Sequence, residues 1–353
     1  MTRILGIETS CDETSASVLE GSGDMVTMRS LVILSQDVHR IFGGVVPEIA
    51  SRAHLTSIAT VVDRAMADAG TSLSELEAVA VTHAPGLVGA LLVGVGYGKA
   101  LAFALGVPVV GVHHMEGHLF ATALEHPRAV PPFTALLVSG GHTLLLDVEA
   151  WGDYRLLGAT RDDAAGEAFD KVAKMIGLPY PGGRHIEELA LRGDPARYRF
   201  TRPMLRTNQT VGDSDYYDVS FSGIKTAVRN VVREPGEPVV LADLARGFQD
   251  AVIDTLVEKT YRAAREYGRE RVVLGGGVAC NRTLVSAMAR RLAVLDAAVF
   301  APSARLATDN AAMIARAGLF HFEQGRVATS DLGAQASLAM PGMVDARVTT
   351  AAH

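Results

Sequence analysis

Two stretches of this 353-residue chain repeat one design, and that repetition limits the folds open to it. Near the N-terminus, residues 3–8 read as a short apolar strand. Residues 9–15 form a loop of hydroxyls with two carboxylates, and residues 16–20 supply a hairpin partner. From Phe133 to Asp147 the pattern returns as strand, the bare turn Ser139-Gly140-Gly141, and strand. Small hydroxyl residues and uncovered glycine backbone suit a turn that offers N–H donors to phosphate. Two such hairpins, one per half, suggest an internal duplication gripping one nucleotide. The alternative for the first is an ordinary polar hairpin turn. Asp12 and Glu13 in that turn would repel a phosphate unless a cation sits between them.

The segments between the hairpins alternate in kind. Residues 43–51 are a glycine turn running into a helix, with Pro47 in its first turn. Leu55, Ile58, Val62, Ala65, Met66 and Ala69 recur at helical spacing, and Gly70 stops the run. Residues 78–82 are a strand, 83–89 a turn leading to a helix that ends at Gly106, and 107–112 another strand. This order predicts an α/β half with glycine-rich loops at the sheet ends. The apolar run 84–98 is interrupted by glycines, stops at Lys99, and is shorter than the ~20 residues a membrane span needs. It is read as a turn and a buried helix, with no membrane partner.

Composition narrows the partners. With 48% hydrophobic and 20% charged residues the chain can bury a sizeable core, which excludes wholesale disorder. A net charge of −6 argues against nucleic-acid binding by a broadly basic surface, so RNA requires a local patch or a helper protein. Cys11 and Cys280 make no disulfide framework and read as small buried filler in a reducing cytosol. Residues 1–3 lead straight into a strand without a signal peptide, and the expected location is cytoplasmic.

The proline-rich crossing 125–132 marks a domain boundary. Beyond it, residues 162–171 begin a helix, with Asp162 and Asp163 at its N-terminus and Asp170 one turn after Glu167. Arg184, Arg192, Arg197, Arg199, Arg202 and Arg206 form the best local patch for RNA phosphates, or else a solvated face. Residues 241–267 are a long amphipathic helix bearing Leu244, Phe248, Val252, Leu256 and Val257 on one side. Residues 271–281 run from a strand through a triple glycine to Asn281, the usual way an α/β sheet lines a nucleotide. The last residues, from 341, look frayed.

Three imidazoles and a carboxylate fall within residues 113–118. On a helix, His114 and His118 project from one face at i,i+4 and make half a site for a divalent metal. The alternative is a pair of helix-start histidines bonded to backbone or water. A third ligand must come from elsewhere; Asp309, at a helix start, can supply it or can simply cap that helix.

The motifs Gly6-Ile-Glu-Thr-Ser-Cys-Asp-Glu-Thr14, His114-Met-Glu-Gly-His118, Val138-Ser-Gly-Gly-His-Thr143, Asp163-Ala-Ala-Gly-Glu-Ala-Phe-Asp-Lys171, Tyr180-Pro-Gly-Gly183, Ser220-Phe-Ser-Gly-Ile-Lys225, Gly275-Gly-Gly-Val-Ala-Cys-Asn281 and Thr308-Asp-Asn310 stand in the chain. Taken together, these motifs resemble the bacterial TsaD family of tRNA N6-adenosine threonylcarbamoyltransferases. They occur in order across nearly the whole chain.

The resemblance implies two actin-like (ASKHA) α/β domains around a central nucleotide cleft. Residues 1–125 with 309–335 would form the first domain, 131–308 the second, and 336–353 a frayed tail. It implies transfer of threonylcarbamoyl from threonylcarbamoyl-AMP to N6 of the adenosine 3′-adjacent to the anticodon, in tRNAs reading A-starting codons. His114, His118 and Asp309 would be metal ligands for Fe2+ or Zn2+. Leu137, Val138, Ser139, Gly140, Gly141, Asp170, Gly183 and Asn281 would contact the adenylate. Asp12 or Glu13 would take the N6 proton or brace a metal-bound water. Implied partners are tRNA, a TsaB-like paralogue, a TsaE-like ATPase and an upstream threonylcarbamoyl-AMP synthase. Two rivals remain: a nucleotide-switched, chaperone-like binding module, and a zinc metallopeptidase. The peptidase pattern needs Glu directly after the first His, and here Met115 stands there.

Overall fold

The computed structural model describes residues 1–234 and 238–349. The chain divides into two compact units, residues 1–128 with 302–341, and residues 129–301 with the stretch from 342.

The first unit begins with β1 (Thr2–Glu8), β2 (Glu13–Ser22), β3 (Met25–Met28) and β4 (Val32–Ser35), then α1 (Pro47–Ala69), β5 (Ala78–Ala84), α2 (Val88–Leu105), β6 (Val109–His113) and α3 (His114–Ala121). Its sheet has the order β3-β2-β1-β5-β6, with β4 also on β2. β1 and β2 form the expected antiparallel hairpin, and β5 and β6 add in parallel. The turn is shorter than expected. Glu13 and Thr14 are already strand residues, opposite Ser35 and Leu34 of β4, which leaves only residues 9–12 as loop.

Pro47 starts α1, and Gly70 ends it in the left-handed region at φ 58. Ile58, Val62, Ala65, Met66 and Ala69 bury their side chains with Leu5, Ile7 and Val18 of the hairpin, each one larger than alanine worth about 1.5–3 kcal/mol. Leu55 does not join them: it is 70% exposed, on the outward face. The helix expected to be buried, α2, is so on one side only. Gly94 lets it approach Thr9, where a Cβ would stand 2.4 Å from Oγ1. Leu92 and Phe103 face outward. It is the one helix among the described residues with the length and apolarity to cross a membrane, and its inner residues Ala90, Leu91 and Val95 are buried within the unit.

The second unit contains β7 (Phe133–Val138), β8 (Thr143–Ala150), β9 (Asp153–Ala159), α4 (Ala165–Met175), α5 (Gly183–Ala190), α6 (Ser222–Arg233), α7 (Leu241–Glu266), β10 (Arg271–Gly275), α8 (Arg282–Leu292) and β11 (Ala298–Phe300). Again an antiparallel hairpin, β7–β8, is extended on the β7 side by two parallel strands, β10 and β11. The shared strand order is the structural form of the repetition seen in the sequence. Leu244, Phe248, Val252, Leu256 and Val257 of α7 are all buried. Asp162 and Asp163 do not start α4, whose N-cap is Ala164. Asp162 accepts the backbone N–H groups of Phe221 (2.8 Å) and Ser222 (3.1 Å) at the start of α6, and Asp163 pairs with Lys171 and Lys225.

The chain then re-enters the first unit with α9 (Ala304–Ala307) and α10 (Ala311–Glu323). Residues 302–308, assigned from sequence to the second domain, fall in this unit; Ser303 donates its N–H to Glu125 at 2.6 Å. The last described elements, β12 (Met343–Asp345) and α11 (Ala346–Thr349), belong to the second unit. β12 pairs in parallel with β9, so the stretch expected to fray is tied into a sheet. Residues 350–353 lie outside the described residues.

Candidate functional site

The apolar run 107–112 becomes β6, and the chain turns directly into α3 at His114. The i,i+4 spacing then brings His114 and His118 together edge to face, ring centroids 4.8 Å apart. Asp309 precedes α10. It is not the cap of that helix, because the Asn310 side chain accepts the N–H of Met313. That leaves the Asp309 carboxylate free to face α3: its Oδ1 lies 3.3 Å from His118 Nε2 and 3.4 Å from His114 Nε2. One ligand atom from each of the three residues falls within 4.8 Å of the others.

These residues fit a divalent metal. His118 is fully buried; its Nε2 faces the Asp309 carboxylate and its Nδ1 has no hydrogen-bond partner among the described residues, a costly arrangement for a group that only holds the core together. Ligands about 2.1 Å from an ion at tetrahedral angles lie about 3.4 Å apart, which matches both Nε2–Oδ1 separations. Two imidazoles and one carboxylate suit zinc or ferrous iron.

The sequence reading missed the group behind His114. Glu8, fully buried at the end of β1, has Oε2 3.1 Å from His114 Nδ1 and accepts the Thr82 hydroxyl at 2.7 Å. Its other oxygen accepts the Ser10 N–H. The available signal was a carboxylate ending an otherwise apolar strand. Burial opposes charge on His114, but Asp309 and Glu8 outweigh it and raise the imidazole's pKa well above its ordinary value. Burial also opposes charge on Asp309 and Glu8, and His114 overcomes it in both, holding the carboxyls below the usual range.

Glu13 lies within electrostatic reach of both Asp309 and Asp12. Burial, with the charges of Asp309 and Asp12, pushes the Glu13 carboxyl well above the carboxylate range. The same surroundings push the Cys11 thiol up, which removes it as a thiolate nucleophile. The 9–12 turn is braced from α1. His54 Nε2–H donates to the Cys11 carbonyl at 2.9 Å, and its Nδ1 accepts the Thr14 hydroxyl at 2.8 Å.

In the second unit residues 137–141 lie at the end of β7, Asn281 follows β10, Asp170 is on α4 and Gly183 starts α5. Gly276, at φ 85, passes so close to β7 that a Cβ would stand 2.5 Å from the Val138 carbonyl. Gly166 of α4 packs as tightly on the Ser139 carbonyl. The side chains of Leu137 and Val138 are core. Gly140, Gly141 and Gly183 have open space where a Cβ would be, so their backbone is uncovered. The Ser139 hydroxyl accepts the His142 N–H (3.1 Å), and Asp170 accepts the Gly182 N–H (2.7 Å), holding the turn before Gly183. Asn281 is committed structurally: it caps α8 through Leu284 N–H and donates to Gln249 at 3.0 Å.

The arginine patch is largely neutralised. Arg184, Arg197, Arg202 and Arg206 pair with Glu188, Asp243, Asp254 and Asp215 respectively. Arg192 and Arg199 remain exposed.

A family model described as "TsaD: tRNA N6-adenosine threonylcarbamoyltransferase" matches residues 27–316. The chain is 64% identical over 350 residues to the "tRNA N6-adenosine threonylcarbamoyltransferase" of Gemmatimonas aurantiaca, covering 97% of this chain and 98% of that one. It is 51% identical over 337 residues to the Anaeromyxobacter dehalogenans protein of the same name, covering 95% and 98%. Among solved structures, HypF from T. kodakarensis matches with TM-score 0.60 at 14% identity, over 94% of this chain and 49% of that one. The Acidaminococcus fermentans (R)-2-hydroxyglutaryl-CoA dehydratase component A matches with TM-score 0.53 at 14% identity, over 92% and 99%. At that identity these structures speak for the fold alone, two α/β domains of the actin-like (ASKHA) type.

Proposed function

The chain belongs to the TsaD family of tRNA N6-adenosine threonylcarbamoyltransferases, and from that premise we propose that it makes N6-threonylcarbamoyladenosine in tRNA. The threonylcarbamoyl group passes from threonylcarbamoyl-AMP to N6 of the adenosine 3′-adjacent to the anticodon, in tRNAs reading A-starting codons. The family match carries this reading, and neither rival is favoured by it. A switched binding module has no use for the His114–His118–Asp309 group, and the His-Glu pair of a metallopeptidase is missing.

N6 of adenosine is a poor nucleophile, because its lone pair is delocalised into the ring. The carbamoyl–phosphate anhydride is already activated, so the enzyme's task is alignment and stabilisation of charge on the departing AMP phosphate. The exposed backbone of Gly140 and Gly141, in the turn that Ser139 opens, holds the phosphate, and Asp170 keeps the turn at Gly182–Gly183 in place for the nucleoside. His114, His118 and Asp309 hold Fe2+ or Zn2+, which supplies Lewis acidity and a template when bound. Asp12 and Glu13 are the candidates for accepting the N6 proton, Asp12 ahead of Glu13, because the surroundings of Glu13 favour its protonated form. Because the adenylate is an activated anhydride, an ATP-dependent synthase must supply it. The net charge of −6 and the paired arginines leave tRNA capture to a TsaB-like paralogue and a TsaE-like ATPase in the cytoplasm.

The test supplies purified chain, with those partners, threonylcarbamoyl-AMP labelled in threonine, and an A-starting-codon tRNA. Label recovered as modified adenosine beside the anticodon is the expected result. No transfer with all partners present would overturn the reading.

A further inference from the structure

We propose that Glu8 is the positioning residue of this centre: it fixes which nitrogen of His114 carries the proton and anchors the 9–12 turn to the same point. The proposal rests on the metal reading of His114, His118 and Asp309 and deepens it.

Glu8 is fully buried, so its carboxylate must be satisfied by protein donors. Oε1 takes the Ser10 N–H, and Oε2 takes the Thr82 hydroxyl and faces His114 Nδ1. An ionised carboxylate only accepts, so His114 Nδ1 must bear hydrogen, and Nε2, on the Asp309 side, is the nitrogen that gives up its proton when a metal binds. Hydrogen on Nδ1 alone is the form in which an imidazole ligates through Nε2. Ser10 Oγ also lies 3.1 Å from Nδ1, but a hydroxyl can donate or accept and cannot enforce either form. Only Glu8 decides.

One carboxylate therefore serves two segments. It orients a ring on α3, and through the Ser10 N–H it holds the turn that carries Asp12. An amide in its place has one acceptor oxygen and one donor nitrogen. It cannot serve Ser10 N–H, Thr82 and His114 Nδ1–H together, and it can donate to Nδ1 and place hydrogen on Nε2 instead.

The experiment titrates zinc alone into metal-stripped full-length protein as wild type, Glu8→Gln, Glu8→Asp, Ser10→Ala and His114→Ala. Affinity is read by chelator competition, and the His114 Nδ1–H resonance is followed in the zinc-loaded proteins by imidazole-labelled NMR. Glu8→Gln is expected to weaken zinc about 10–100-fold, the usual effect of losing a carboxylate behind a ligating histidine, and to shift or lose the Nδ1–H signal. Glu8→Asp, still acceptor-only, is expected to keep that signal, and Ser10→Ala to keep both affinity and signal. Wild-type affinity and an unshifted signal in Glu8→Gln overturn the proposal, as does loss of the signal in Glu8→Asp should Glu8→Gln not fold. Wild-type zinc binding by His114→Ala instead defeats the metal reading itself, whatever Glu8 does.

Discussion

Glu116 of α3 and His321 of α10 meet at 2.7 Å, both buried, and tie the helix bearing His114 and His118 to the one that follows Asp309. Removing one partner takes a buried polar contact from the other. Glu116→Ala and His321→Ala are each expected to cost about 3–5 kcal/mol in urea unfolding. Replacing both with apolar residues of similar size should recover most of that loss. Single variants as stable as wild type would show that the pair holds nothing together.

Gly6 lies where β1 crosses the start of α10. A Cβ there would stand 2.4 Å from the Ala311 carbonyl and 2.7 Å from the Ala315 nitrogen, backbone atoms that cannot step aside. Gly6→Ala is expected to destabilise by about 1–3 kcal/mol and to weaken metal binding by displacing Asp309. Gly140→Ala, whose Cβ meets nothing, should leave thermal unfolding unchanged. Equal effects of the two would contradict the packing described.

His54 predicts a pH effect. Burial lowers its pKa below 6.5, so the folded state keeps it neutral. As pH falls below 6.5 the unfolded chain takes up a proton that the native protein refuses, and His54's contribution to stability declines until the lowered native value is reached. His54→Gln should therefore cost most at pH 8 and progressively less toward pH 5 in paired denaturation curves. A cost that grows on acidification would reverse the sign and refute the assignment.

Asp170 is expected to act through the Gly182 N–H. Asp170→Ala should reduce affinity for threonylcarbamoyl-AMP, measured by calorimetry, with little change in unfolding temperature. Normal adenylate binding by this variant would remove Asp170 from the site.

The sequence disclosed whatever depends on near neighbours. The His114–His118 pair follows from helical spacing, the α1 boundaries from Pro47 and Gly70, and the paired hairpins from their small-residue turns. Contacts distant along the chain stayed hidden. Glu8 read as a strand end because its partner His114 is 106 positions away. Asp162 was assigned to its own helix yet caps α6, 59 positions on. Arg202 looked free because Asp254 is far along the chain. Leu55 fits the periodicity of α1, but periodicity does not say how wide the buried stripe is.

Asp309 is expected to complete a metal centre with His114 and His118. Metal content of wild type and Asp309→Ala, purified alike and analysed by mass spectrometry, tests it most directly. One divalent ion per wild-type chain and a large loss in Asp309→Ala is the predicted result; equal metal in both proteins would contradict it.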